Sequence, residues 1–385
     1  MIVARKIAER VKTVAKQMPV ISITGPRQSG KTTLCRHLFT DYFYANLENP
    51  ETRAFAQEDP KRFILQGESG MIVDEAQYAP SLFSYIQARV DETKKNGTYI
   101  LSGSQNFLFM EKITQSLAGR VAVFHLLPFS LEEIESTVYF PEAASNFILK
   151  GAYPRIYDHN IDLEIFFPSY IQTYVERDIR QLINVKDLQQ FQLFLRICAG
   201  RVGQLFNQSA IANEIGLTHT SVRKWLSLLQ TSFITYTLPP YFRNFKKRLI
   251  KTPKLYFYDT GLACYLLGIR TLEELETHYA KGALFENFII TEVMKNFYNR
   301  GAQPPLYFWR DRTGNEIDLL IDVGGKMYPI EIKSSQTIHT KFFKNIKFFN
   351  KITANDPSLA TIIYGGDLDQ NRSAGNVKSW KNIPN

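Results

Sequence analysis

"GPRQSGKT", Gly25 to Thr32, decides how the first third of this chain folds. It satisfies G-x-x-x-x-G-K-[ST] at every fixed position and follows "VISITG", an apolar run that reads as a strand. Gly25 and Gly30 let the backbone of Pro26, Arg27, Gln28 and Ser29 turn toward bound phosphates. Lys31 then balances the charge of the β- and γ-phosphates. Thr32, followed by Thr33 at the start of a helix, offers a hydroxyl to magnesium. ATP and Mg2+ are the expected cofactors.

Outward from this loop, "GMIVDEAQ" is an apolar strand ending in Asp74 and Glu75. The first carboxylate is placed to hold the magnesium shell and the second to polarise an attacking water, although an acidic pair also begins helices. "TYILSGSQ" should lie beside these strands and end in Ser102, Ser104 and Gln105. Ser104 or Gln105 is positioned to sense the γ-phosphate or orient water, unless the polar residues serve only the loop. Arg120, in "SLAGRV", is a candidate for stabilising transferred charge from a neighbouring copy in a homo-oligomer; an ordinary surface arginine is the other reading.

The whole chain of 385 residues exceeds one ordinary core, so two or three domains are expected. Its hydrophobic fraction of 44% and charged fraction of 22% are those of a globular protein and exclude disorder. A net charge of +9 favours an anionic partner such as nucleic acid, although a basic balance is also a common bland property. Cys35, Cys198 and Cys264 form no Cys-x-x-Cys pair, which argues against structural zinc or a disulfide framework. The charged N-terminal segment lacks a secretory core, and no apolar run approaches the roughly 20 residues needed to cross a bilayer. A cytoplasmic protein without a membrane partner is expected.

Strand-like runs alternate with helical patterns through the first part, giving an α/β domain with a mostly parallel sheet over residues 1–135. Helical spacing dominates afterwards, and 136–270 reads as a second domain. Within it, "NQSAIANEIGLTHTSVRKWLSLLQ" breaks its apolar spacing at Gly216, as a helix-turn-helix does. Ser221, Arg223 and Lys224 stand outward at the start of the second helix, where phosphates or base edges would be met. The strand-like "FITYTLP" and "KLYFYD" flank "YFRNFKKRLIKTPK", which reads as a wing. Arg243, Lys246, Lys247, Arg248, Lys251 and Lys254 occur there without an acid, interleaved with Tyr241, Phe242 and Phe245. DNA contact is one reading; docking on protein, or a solvated charged face, is the other.

From 271 to 385 the α/β pattern returns. Glu286 lies on the helix "ALFENFIITEVMKNFY", Asp318 in the strand "EIDLLIDVGG", and Glu331 and Lys333 in "KMYPIEIKSS". Residues two apart on a strand share a face, so the Glu331 carboxylate and the Lys333 ammonium point together. Their apolar flanks place these charges in buried strands, where an unpaired charge is costly.

The phosphate loop with its adjacent acids resembles the AAA+-like branch of P-loop ATPases with a neighbouring catalytic glutamate. More narrowly, "GPRQSGKTTL", "DEAQ", "SGSQNFLF", "LAGRVAVFHLLPFS", "GAYPRIY", "YVERDI", "LYFYDTGL", "GALFENFI" and "EIDLLID" resemble an uncharacterised prokaryotic family that fuses such an ATPase to a C-terminal domain of unknown function. The order helix glutamate, strand aspartate, Glu-x-Lys is similar to the PD-(D/E)XK nuclease fold and to archaeal Holliday-junction resolvases. That resemblance implies that Glu286, Asp318 and Glu331 hold Mg2+ or Mn2+ while Lys333 orients or activates the water. Ile317 replaces the usual proline before the aspartate.

The expected architecture is thus a P-loop parallel sheet, a helical winged-helix middle and a restriction-endonuclease-like α/β end. The expected function is an ATPase that couples nucleotide state to DNA engagement and metal-dependent cleavage. Two alternatives stand beside it: an ATP-driven switch that binds a protein partner through an inactive nuclease-like domain, and a nucleotide-binding DNA regulator.

Overall fold

The computed structural model describes residues 3–104, 115–175, 188–242 and 251–383. Gln105, Arg243, Phe245, Lys246, Lys247 and Arg248 lie outside the described residues, as does the side chain of Ser104.

The first sheet consists of β1 (Val20–Gly25), β2 (Phe43–Asn46), β3 (Met71–Asp74), β4 (Tyr99–Ser104) and β5 (Val121–His125), in the order β2-β3-β4-β1-β5. Every adjacent pair is parallel. All six residues of β1 are buried, as a central parallel strand covered on both faces requires. The insertion of β4 between β1 and β3 brings Gly25, Asp74 and Ser104 to one edge of the sheet, outside the carboxyl ends of the strands. The apolar run "VAVFHLLPF" is longer than the strand it forms, which ends at His125. Leu126 still donates to the Thr24 carbonyl of β1; beyond it the Leu127 carbonyl accepts from Arg5 and the Phe129 amide donates to the Ala152 carbonyl.

The middle region is helical. The helices Gln208–Glu214 and His219–Thr231 flank Gly216, whose φ is 67°, and the second is capped by the Thr218 side chain. A two-stranded antiparallel ribbon follows, β6 (Thr235–Leu238) with β7 (Lys254–Phe257).

The last sheet is built from β8 (Leu306–Arg310), β9 (Glu316–Val323), β10 (Lys326–Lys333), β11 (Thr361–Tyr364), β12 (Gln370–Arg372) and β13 (Gly375–Ser379). Its order is β12-β13-β11-β10-β9-β8. β8, β9 and β10 form an antiparallel meander, while β11 joins β10 and β13 in parallel. Gly324 and Gly325, both at positive φ, make the two-residue hairpin between β9 and β10. The helix Lys281–Asn299 covers one face through Leu284, Phe285 and Phe288 against Leu319, Ile330 and Ile332. The helix Lys344–Thr353 covers the other through Ile346 and Phe349 against Leu320, Ile362 and Tyr364.

The units are joined by shared core. A single apolar cluster runs from Val3 through Phe129, Tyr153 and Trp225 to Phe288 and Trp380. The long helix Lys281–Asn299 crosses into the first unit at Glu292 and Lys295, both nearly fully buried. Lys295 Nζ donates to the Phe129 carbonyl at 2.7 Å and pairs with Glu292 Oε1 at 2.7 Å. Glu292 Oε2 accepts the Leu131 amide at 2.7 Å.

His125, at the end of β5, is held at this junction by Thr24 Oγ1, 2.9 Å from Nδ1, and by the rings of Tyr298 and Phe233. Burial lowers its pKa to about 4. The unfolded chain therefore binds a proton that the folded one refuses, and stability falls as pH drops from about 6.5 toward 4. The expected loss is about 2 kcal/mol by pH 5. Urea midpoints measured from pH 7 to 4.5 should fall more steeply for the native protein than for His125→Phe; parallel curves would contradict this assignment.

Candidate functional site

The phosphate loop begins where β1 ends. Gly25 has φ of 157°, and a Cβ there would sit 2.1 Å from the Leu126 carbonyl oxygen, so only glycine fits. Gln28 and Gly30 also take positive φ, and the helix Lys31–Leu38 starts directly after Gly30. This curls the loop into a nest facing the helix N-terminus, the geometry that receives an anion. Lys31 is buried, its Nζ donating to the carbonyls of Gly25 at 3.1 Å and Pro26 at 2.7 Å. Burial lowers its pKa, with Glu75 and Asp74 opposing, so a bound polyphosphate would supply the counter-charge its position lacks. Among the described residues the buried Ser29 hydroxyl has no hydrogen-bond partner.

Asp74 gathers the groups that a cation would use. Its Oδ2 accepts from Thr32 Oγ1 at 2.7 Å and from the Tyr44 hydroxyl at 2.9 Å, and its Oδ1 from Ser102. Thr32 and Asp74 thus hold hard oxygens against each other where magnesium would enter between them, which fits that ion. Glu75 follows in the left-handed region at φ of 53° and hydrogen-bonds to Gln77. That turn takes Glu75 out of the strand direction and into the wall of the cleft beside Lys31 and Thr32.

The cleft is about 860 Å³ and has walls from three parts of the chain. One is the loop and its helix; another is the N-terminal segment, with Val3, Ala4 and Ala8; the third is Pro154, Arg155 and Tyr157. An apolar flank opposite a phosphate nest is what a nucleoside triphosphate requires. Arg5 fastens the N-terminal wall. Its Nη1 donates to the Ser29 carbonyl at 2.7 Å, Nη2 to that of Leu127 at 2.6 Å and Nε to Glu133 at 2.9 Å. The third wall is fixed from afar: Asp259 accepts the Ala152 amide at 2.7 Å, and the Tyr157 hydroxyl donates to the Gly151 carbonyl at 2.6 Å. Gly151 is at φ of 72° with Asp259 where a Cβ would be, so "GAYP" and "YDTG" are one packed unit.

Arg5 and Arg155 escaped the sequence reading. Arg155 lies inside the quoted "GAYPRIY", which was the available signal. Arg5 touches partners up to 128 residues away, and no local pattern announces it. Arg120 caps the opposite edge of the sheet, where its carbonyl accepts from Val20 at the start of β1. Its guanidinium pairs twice with Asp91, so it does not face the phosphate loop of its own chain.

The second constellation sits where β9 and β10 part. Their ladder ends at the Leu319–Ile330 pair, and there the Asp318 carboxylate accepts the Ile332 amide at 2.8 Å. Lys333 Nζ lies 3.0 Å from Asp318 Oδ2 and 2.6 Å from Glu331 Oε2. Glu331 is 1% exposed, with the Lys333 ammonium and Asn345 as its polar neighbours. Burial, then the Asp318 charge, push its pKa up to about 8 against the pull of Lys333. Burial also raises Asp318, but Lys333 and Lys254 outweigh it and leave its pKa below the usual value.

Two expectations need correction here. Lys254, read as part of a basic wing, is buried; β7 turns it inward, where it pairs with Glu286 at 3.0 Å and with Glu316. Glu286 is drawn to Lys254 and to the Tyr256 hydroxyl, and does not form a carboxylate cage with Asp318 and Glu331. Among the described residues no three His, Cys, Asp or Glu are arranged to hold a metal ion. What the structure does bring together is Asp318, Glu331 and Lys333, two buried carboxylates sharing one ammonium, whose hard oxygens suit a cation or a water. In the middle region Arg223 and Lys224 are exposed, while Ser221 is half-buried and its amide is taken by Thr218. Among the described residues no helix is long and apolar enough to cross a membrane.

Comparison with known proteins agrees with the fold of the first unit. Residues 17–135 match the family described as AAA domain, which makes the first unit an AAA-type P-loop ATPase fold. Residues 141–273 and 281–383 match two families described as domains of unknown function. An uncharacterized protein of Mycobacterium tuberculosis is 32% identical over 338 residues, 86% of this chain and 74% of its own length. An uncharacterized protein of Haemophilus influenzae is 22% identical over 308 residues, 72% of this chain and 74% of its own. Among solved structures, the Walker-type ATPase PABY2304 of Pyrococcus abyssi covers 69% of this chain and 96% of its own at 16% identity, with a TM-score of 0.48.

Lys254 offers a direct check on the second site's electrostatics. Lys254→Met leaves the buried Glu286 without its ammonium, while Glu316 keeps Arg310, and should destabilise the protein by about 3 kcal/mol. Chemical denaturation measures it; a change below about 0.5 kcal/mol would mean that the carboxylates reach water instead.

Proposed function

This chain belongs to the same family as the uncharacterized mycobacterial protein, and from that premise we propose that it hydrolyses ATP and uses the nucleotide state to control engagement and metal-dependent cleavage of DNA. The observation that carries the first half is the cleft in which Lys31, Thr32, Asp74 and Glu75 meet at one sheet edge. Gly25 through Thr33 would cradle the phosphates, with Ser104 at the neighbouring strand end. Thr32 and Asp74 would hold magnesium, which supplies charge neutralisation to the phosphates when bound. Glu75 takes the proton of the attacking water; it is the residue beside Lys31 with a carboxylate free of the Asp74 network.

The second half is supported by Asp318 and Glu331 gathered on the Lys333 ammonium, both carboxylates buried. Asp318 and Glu331 would hold Mg2+ or Mn2+, and the ion would lower the pKa of a bound water. Lys333 steadies the pair until a cation replaces part of its charge. Glu286, fixed by Lys254, acts on this centre through charge. Exposed Arg223 and Lys224 would add phosphate contacts from the middle region. The cation-occupied carboxylates also favour a second reading. Lysines that already neutralise Asp318, Glu331 and Glu286 suit an inactive nuclease-like domain that holds a protein partner under ATP control.

Glu75→Gln should keep ATP binding and lower phosphate release by about 100-fold or more. Lys31→Ala should lose binding itself. Equal loss of binding in both variants would remove Glu75 from the proposed role. For the second centre, plasmid and branched DNA are incubated with Mg2+ or Mn2+, with and without ATP. Cleavage abolished by Asp318→Asn, with ATP turnover intact, supports the nuclease reading; no cleavage by the native protein in either metal transfers the assignment to the partner-binding switch.

A further inference from the structure

The helix Lys344–Thr353 carries a feature that the proposed reaction does not use. Its inner face, Ile346 and Phe349, is packed on the sheet. Its outer face presents Lys344, Lys347 and Lys351, all exposed and spaced three and four apart, which places them in one row. Lys341, exposed on the turn before the helix, extends that row, and Arg372 lies over the Phe343 ring at its base.

The surrounding charge balance is one-sided. No Asp or Glu occurs between Glu331 and Asp356 in the sequence. Among the described residues none of Lys341, Lys344, Lys347 and Lys351 has an ion pair, whereas nearby Lys378 and Lys381 are paired with Asp369 and Asp367. A solvated lysine face normally collects some carboxylates; this one has a row of cations with no counter-charge.

The row also stands in a specific place. Glu331 and Lys333 alternate with Ile330 and Ile332, which face the helix Lys281–Asn299, so their side chains point to the opposite face of the sheet, the one covered by the lysine helix. Asn345, next to Lys344, interacts with Glu331.

We infer that Lys341, Lys344, Lys347 and Lys351 form a track for the phosphate backbone of nucleic acid, delivering it to the Asp318–Glu331 centre. The inference rests on reading that centre as phosphodiester-directed. At a rise of about 1.5 Å per residue, Lys344 to Lys351 spans about 10 Å. Each strand carries one charge per about 3.4 Å of axis, so the row matches about three phosphates. The contacts are to backbone and carry no sequence preference.

The test uses the full chain and a fluorescent DNA duplex, with EDTA present so that binding is read without cutting. Lys344→Gln/Lys347→Gln/Lys351→Gln removes exposed charge alone, and its thermal midpoint should match the native protein. Its affinity should fall by about tenfold or more, and the slope of log K against log salt should shrink by about 2 to 3. Lys378→Gln, at a lysine whose charge is already spent on Asp369, should bind like the native protein. The inference is overturned if the triple variant binds duplex within about twofold of native. It is equally overturned if the native protein binds no DNA at about 50 mM salt, or if the substitutions weaken adhesion to anionic lipid vesicles and leave DNA binding untouched. Native protein that binds through the row yet cuts nothing in Mg2+ or Mn2+ leaves the track standing and removes the cleavage reading.

Discussion

The buried Glu292–Lys295 pair is the contact on which the arrangement of the two sites depends. Both groups sit on the helix Lys281–Asn299, and both are spent on the backbone of a different unit, at Phe129 and Leu131. Charges this deep are tolerable only when every partner is present, because the desolvation cost exceeds what one attraction returns. The unit boundary here is therefore a fixed joint. The same short segment, Leu127 to Glu133, is gripped from its other side by Arg5, which also holds the Ser29 carbonyl of the phosphate loop. Two turns earlier on the long helix, Glu286 reaches the carboxylate–lysine centre. One rigid element thus touches the second site at one end and the frame of the first site at the other.

The two sites solve the same electrostatic problem differently. In the phosphate loop a cation, Lys31, is buried against carbonyls, and the site is short of negative charge. In the last sheet carboxylates are buried, and Lys333 and Lys254 keep them from being intolerable. The first arrangement anticipates an anion. The second divides its carboxylates between two ammonium groups, Glu286 on Lys254 and both Asp318 and Glu331 on Lys333.

Local pattern made much of this legible. β1, β3 and β4 lie where apolar runs ended by Gly, Asp and Ser place them, since a buried parallel strand must be continuously apolar. The turn at Gly216 and the hairpin at Gly324–Gly325 are likewise written in residue types that accept positive φ. β12 and β13 are not legible, because "QNR" and "GNVKS" lack an apolar pattern; the pairing of β13 with β11, and of β12 with β13, makes them strands. The burial of Lys254 is hidden in the sequence for a related reason. A lysine in a basic stretch looks solvated until the fold brings Glu286 and Glu316 around it.

By itself the sequence determined the phosphate loop, its acids and the Glu-x-Lys strand, because each depends on residues within one or two elements and on backbone geometry that particular residues permit. Only the tertiary structure decided which distant groups complete them. Arg5 on the loop, Pro154 and Arg155 on the cleft rim, and Lys254 among the carboxylates are joined to their partners by strand order and helix docking. The physical reason is that charge and packing act through space, and the distance in space between two residues is set by topology.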